Sequence, residues 1–133
     1  MKFDKTFFVK QEFAANALSD LAASAVRELE IAVSSSVPEV KFHFAYMALL
    51  KSGIYRIARE GYRVKSAPGH HKMVIEALSD LLGDKEVAVV GDKMRRDRNL
   101  DLYEAKAAFS STETDAYLKF IADICKRVTG DNG

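Results

Sequence analysis

Arg98-Asn99, with Tyr103 four residues beyond the asparagine, is the pattern in this chain with the clearest chemical content. Arg98 lies midway between Met94 and Leu102 at four-residue spacing, so a helix here carries a guanidinium on its apolar stripe. A guanidinium stays charged and has five N–H donors to satisfy. Such a stripe marks either a polar site or a buried ion pair, because an unpartnered buried charge is too costly to keep. Arg95, Asn99 and Tyr103 repeat at i, i+4, i+8, which places a second guanidinium, an amide and a phenol along one helix face. The chemistry open to that face is anion binding. Asp101 supplies the ion-pair alternative, three residues after Arg98, and the arginine then relieves the like-charge pair Asp97–Asp101.

A second basic region precedes it. From Lys51 to Lys72 there are six Lys and Arg against Glu60 alone. Within it Tyr55, Arg59 and Tyr62 alternate ring and guanidinium at i, i+4, i+7, a pattern that stacks bases and neutralises phosphates. The plainer reading is a solvated edge balanced by Glu28, Glu30 and Glu76. His70 and His71 are adjacent, and neighbouring helical residues diverge by about 100°, so the pair does not make a metal site. Asp97, Asp101 and Glu104 share a face, but the interspersed arginines already supply the compensating charge. No metal or other cofactor is expected, and no catalytic residue is assigned. Glycine-rich phosphate loops, nucleophile elbows and Cys-x-x-Cys pairs are absent from the sequence.

These residues need a scaffold, and the hydrophobic spacing predicts an all-α, up-down bundle of four to five helices. Ala14, Leu18, Leu21, Ala25, Leu29 and Ala32 mark a first helix over about 10–34. His43, Met47, Leu50, Ile54 and Ile57 mark a second over about 38–61, opened by a Ser36/Glu39 capping box with Pro38 in its first turn. Gly53 inside it costs about 1 kcal/mol against alanine, which close approach of a neighbour would explain. Phe42, Phe44, Tyr46 and Leu49 fall off that stripe, more apolar surface than one face buries, and so predict a homodimer. Val74, Ala77, Leu78, Leu81 and Leu82 mark a third helix, ended by Gly83. Asp84 caps a fourth with Val87, Val90, Met94, Leu102 and Ala105 inward. A Ser110/Glu113 box opens the last, with Ala116, Phe120, Ile121 and Ile124 inward and Gly130 at its end. No segment alternates with period two for long enough to read as a strand.

The 133 residues form a single domain, with 20 basic against 19 acidic residues. A net charge of +1 is not the footprint of a protein that coats nucleic acid. Cys125 is the sole cysteine, which suits a reducing cytoplasm, and neither a signal peptide nor a membrane span is expected.

Arg98-Asn99 followed by Tyr103, late in a small helical chain, resembles the HEPN superfamily (higher eukaryotes and prokaryotes nucleotide-binding domains). That family's motif is an arginine, often followed by asparagine, with a histidine four to six residues further along the helix. Here Tyr103 stands at the histidine-compatible position and no histidine follows His71. Gly61-Tyr62-Arg63 and His70-His71 look like the junction between the second and third helices of small prokaryotic members. The resemblance implies a helical bundle, often dimeric, with the arginine motif at a cleft where active members cleave RNA. A phenol, with a pKa near 10, is ill suited to acid–base work at neutral pH. The implication is therefore a non-catalytic protein that binds RNA or a nucleotide, or a regulatory or toxin–antitoxin component whose protein partner is encoded nearby. A purely structural interaction module is the alternative, and a metal-independent ribonuclease comes last. The ligand-contacting residues under this reading are Arg98, Asn99, Tyr103, Arg95, Asp101, Tyr62, Arg63 and His70.

Overall fold

The computed structural model describes residues 3–104 and 110–130, and the side chains of 3–99 and 110–130. The expected inward positions of Leu102 and Ala105 lie outside the described residues. Five helices carry the fold: α1 (Ala15–Ser34), α2 (Pro38–Arg59), α3 (His70–Leu82), α4 (Lys85–Glu104) and α5 (Ser111–Thr129). The all-helical bundle read from the sequence is what the chain forms. None of the described helices is long and apolar enough to cross a membrane.

Two three-residue strands escaped that reading, β1 (Phe8–Lys10) and β2 (Tyr62–Val64). They pair antiparallel with Phe8 opposite Val64 and Lys10 opposite Tyr62. Beyond the ladder, Gln11 N–H donates to Gly61 O at 2.8 Å and Lys65 N–H to Phe7 O at 2.8 Å. This pairing holds residues 8–10 extended, so α1 starts at Ala15 rather than near residue 10. Similarly, α2 stops at Arg59, and Gly61 at φ +85° turns the chain into β2.

α2 is the central helix and packs against all four others. Its buried face is broader than the stripe expected: Leu50 and Ile57 are buried as read and Met47 packs on the core, but the stripe's other two positions are not. His43 is exposed and Ile54 is 39% exposed, whereas Phe42, Tyr46 and Leu49 are buried in the core. Phe44 packs, partly buried, against the same cluster. A helix with neighbours on several sides buries a broad face, so residues off a single stripe are covered within one chain. The surplus surface that argued for a homodimer is thereby removed.

Capping follows the sequence in two places out of three. Asp84 Oδ1 accepts from Glu86 N–H at 3.1 Å, and Ser110 Oγ accepts from Glu113 N–H at 3.1 Å. The Ser36/Glu39 box does not form. Val37, not Ser36, is the residue that precedes Pro38 at the start of α2, which puts the expected box out of register by one. Val37 N–H instead donates to Ser35 Oγ at 3.2 Å.

Two glycines set how closely the helices approach. A β-carbon on Gly53 would stand 2.6 Å from Val74 Cγ1 and 3.3 Å from Val74 O, so α2 meets the α3 backbone there. One on Gly91 would stand 2.5 Å from Ile75 Cγ2 and 3.3 Å from Leu49 Cδ2, so α4 nests against α3 and α2. The far side of α4 is tied to α5. Lys93 donates to Tyr117 Oη and pairs with Asp97 at 3.2 Å and Glu113 at 3.3 Å, while Tyr117 donates to Asp97 at 3.0 Å. The Tyr117 hydrogen bond, with help from the two carboxylates, holds the Lys93 pKa above the usual lysine range.

Gly53→Ala is expected to destabilise the protein by about 1–3 kcal/mol through overpacking. That outweighs the propensity gain of about 1 kcal/mol that alanine brings to an open helix position. Urea titration reads the sign, and Val74→Ala in the same chain should recover part of the loss. A Gly53→Ala protein more stable than the parent would mean that α2 and α3 are not in contact at this point. Tyr117→Phe should cost about 1–3 kcal/mol, because it removes a phenol that both accepts from an ammonium and donates to a carboxylate. An unchanged urea midpoint would show that Lys93 and Asp97 satisfy each other without it.

Candidate functional site

The residues 65–69 connect β2 to α3, and Gly69 at φ +83° gives the left-handed turn that starts the helix. No side chain caps that start. The first amides of any α-helix lack an intrahelical acceptor. That of His70 goes to Ala67 O at 3.1 Å, which leaves those of His71 and Lys72 without a backbone acceptor among the described residues. An uncapped helix start of this kind favours an anion.

The Arg-rich face of α4 lies against this helix start. Residues 67–69, the first turn of α3 (His70, His71, Lys72) and Arg95, Arg98 and Asn99 of α4 line an open groove of about 280 Å³. Thus the sequence-derived residues Arg95, Arg98, Asn99 and His70 come together. Tyr62 and Arg63 do not join them. Tyr62 sits on β2, where its ring stacks on Phe3 at 4.2 Å, and Arg63 lines a separate cavity that also reaches His70. The side chains of Asp101 and Tyr103 lie outside the described residues, and with them the expected Arg98–Asp101 contact.

Arg98 is half-buried, as its place on the stripe implies. Its guanidinium carbon stands 5.7 Å from the ring centroid of Tyr46, a cation–π contact onto the central helix. Tyr46 is fully buried, and its hydroxyl has no hydrogen-bond partner among the described residues. Burial pushes that phenol's pKa up, against the pull of Arg98 and Arg95. Arg95 donates to Asp92 at 3.0 Å, while its buried Nε lacks a partner among the described residues. Arg96 pairs with Asp92 at 3.3 Å on the exposed side of the helix.

His71 in the groove wall and the buried Tyr46 beneath Arg98 were not assigned a site role from the sequence. His71 packs its ring 6.1 Å from that of Tyr46 and 4.5 Å from that of His70. Burial, then the neighbouring His70 and Arg98 charges, hold its pKa below the ordinary 6.5. It is therefore a neutral imidazole at neutral pH. Tyr46 was missed because it looked like surplus apolar surface, and its closeness to Arg98, 52 residues further along, shows only in the fold.

The proposed Tyr55–Arg59–Tyr62 face is not one surface. Arg59 does stand 5.8 Å over the Tyr55 ring, but α2 ends at Arg59 and Tyr62 belongs to β2. Much of the middle basic segment is balanced by acids: Lys51 pairs with Glu28 at 2.5 Å, Arg56 with Glu60 at 2.5 Å, and Lys72 with Glu76 at 3.9 Å. Among the described residues no group of three His, Cys, Asp or Glu converges to hold a metal ion. Compared with protein family models, with curated proteins and with solved structures, the chain matches none.

The His71 environment has a sign that can be measured. With a folded-state pKa below 6.5, the unfolded chain takes up a proton below that pH which the folded chain refuses. His71 therefore withdraws stability as pH falls from about 6.5 through its folded value. An NMR titration should place the His71 midpoint below 6.5. Arg98→Gln should raise the His71 midpoint only in part, since burial is the larger cause. A midpoint at or above 6.5 in the parent protein would remove His71 from the buried side of the groove.

Proposed function

We propose that this protein binds RNA or a nucleotide through the α3–α4 groove and does so without cleaving it. The observation that carries the reading is Arg98, half-buried on the Tyr46 ring and facing an uncapped helix start. A guanidinium held by an aromatic face has lost little side-chain freedom still to be lost on binding, and its fork suits a phosphate. The amides of His71 and Lys72, the Lys72 ammonium and Arg95 offer further donors along the same wall. The resemblance of Arg98-Asn99 to the HEPN motif supports the same ligand class. The reading places the protein in the cytoplasm, where such ligands are abundant.

RNA cleavage is the second reading, and one observation favours it. Arg98 lacks a histidine downstream in its own helix, yet the groove brings two imidazoles to it from α3. A neutral His71 is in the state required of a general base.

Fluorescence anisotropy with a short labelled single-stranded RNA at low salt tests both. Saturable binding is expected, with Arg98→Ala weakening it tenfold or more, as loss of a charged hydrogen bond implies. Each phosphate contact removed should lower the salt slope by about 0.7. Lys119→Ala, on the exposed side of α5, is the control and should leave binding intact. No binding of RNA or ATP by the folded protein would overturn the proposal, as would unchanged affinity in Arg98→Ala. Cleavage of the RNA that disappears in His71→Ala would instead establish the second reading.

A further inference from the structure

A second cavity lies on the other side of His70, between the end of α2, β2 and the start of α3, with a volume of about 200 Å³. Its floor is apolar: Ile57 and Val74 are buried core residues, and Val64 is half-buried beside them. Ile54 forms a wall and remains 39% exposed, a large apolar side chain left in water next to that floor. Arg63, Ser66 and His70 supply the polar and basic part of its lining. Arg63 is exposed and has no acidic partner among the described residues, unlike Lys51, Arg56 and Lys72 nearby.

From this arrangement we infer that the cavity binds a small carboxylate with an apolar body. The apolar end covers Ile54 and rests on Ile57 and Val74, and the carboxylate meets the Arg63 guanidinium. Ser66 Oγ and the His70 ring are placed to donate to its second oxygen. The size fits one ring or a short branched chain: an apolar cavity of about 150 Å³ is enough to take up benzene. A phosphate-bearing nucleotide is a poor match, because its base and sugar exceed the volume and the floor offers no polar partners. The site stands apart from the α3–α4 groove in every lining residue except His70, so it does not depend on the function proposed for that groove.

Benzoate is the probe, titrated into the full chain and followed by methyl and imidazole NMR shifts. Saturable binding is expected in the millimolar range or tighter, with shifts centred on Ile54, Val64, Val74 and His70. Arg63→Gln, a change at an exposed position, should weaken it tenfold or more without altering the fold. Benzyl alcohol, the same ring without the charge, should bind at least tenfold more weakly. Arg98→Ala should leave benzoate affinity within twofold, which separates this site from the groove. The inference is overturned if benzoate fails to saturate at tens of millimolar or if benzyl alcohol binds equally well. It is also overturned if Arg98→Ala, rather than Arg63→Gln, abolishes binding.

Discussion

The approach of α2 to α3 at Gly53 and Val74 is the constraint on which the rest of this molecule turns. Without a side chain at residue 53, the α3 backbone comes within van der Waals reach of the central helix. Gly91 repeats the device for α4, against Ile75 of α3 and Leu49 of α2. Three helices packed this tightly leave no room for adjustment between them, since protein interiors transmit rather than absorb small changes in volume. The first turn of α3 is consequently fixed over the Tyr46 ring, and the arginines of α4 are fixed opposite it. The groove is a product of two missing side chains.

Its electrostatics follow from the same packing. A buried phenol whose hydroxyl has no partner among the described residues and a half-buried guanidinium on that ring are each costly alone. Together they offset one another in part, the ring quadrupole stabilising the cation and the cation stabilising the oxygen. Asp92 pairs with both Arg95 and Arg96 on the flank, one carboxylate against two guanidiniums. What remains is a concave surface with an excess of donors, in a protein whose total charge is nearly zero.

The helices were legible because each repeats its apolar residues over three or more turns. Capping at Asp84 and Ser110 was legible for a related reason, since the signal is local and needs no tertiary partner. The strands were not: three residues each cannot display a period of two, and their pairing joins residues about 50 positions apart. Arg98 could be singled out because a charge on an apolar stripe conflicts with its own surroundings. The meeting of His71 with Tyr46 could not, because it depends on the depth of the Gly53 contact. The inward face of α2 was misjudged for a similar cause. A single stripe took in His43 and Ile54 and left out Tyr46 and Leu49, because spacing alone does not show that a central helix has neighbours on several sides.

The turn between α3 and α4 carries a temporal consequence. Asp84 caps α4, yet its carboxylate also accepts from Arg127 at 3.0 Å, near the end of α5. α5 further supplies Ile121, Ile124 and Val128 to the core and, through Tyr117 and Glu113, holds Lys93 on the back of α4. During synthesis α5 leaves the ribosome after α1 to α4. Until it does, the apolar flank of α2 stays wet and α4 lacks its outer brace. The nascent chain therefore completes its core only once α5 has emerged, and the flank of α2 that α5 covers stays exposed until then. A protein built this way depends on speed of closure, or on a chaperone holding that flank, more than one whose core is complete halfway through translation.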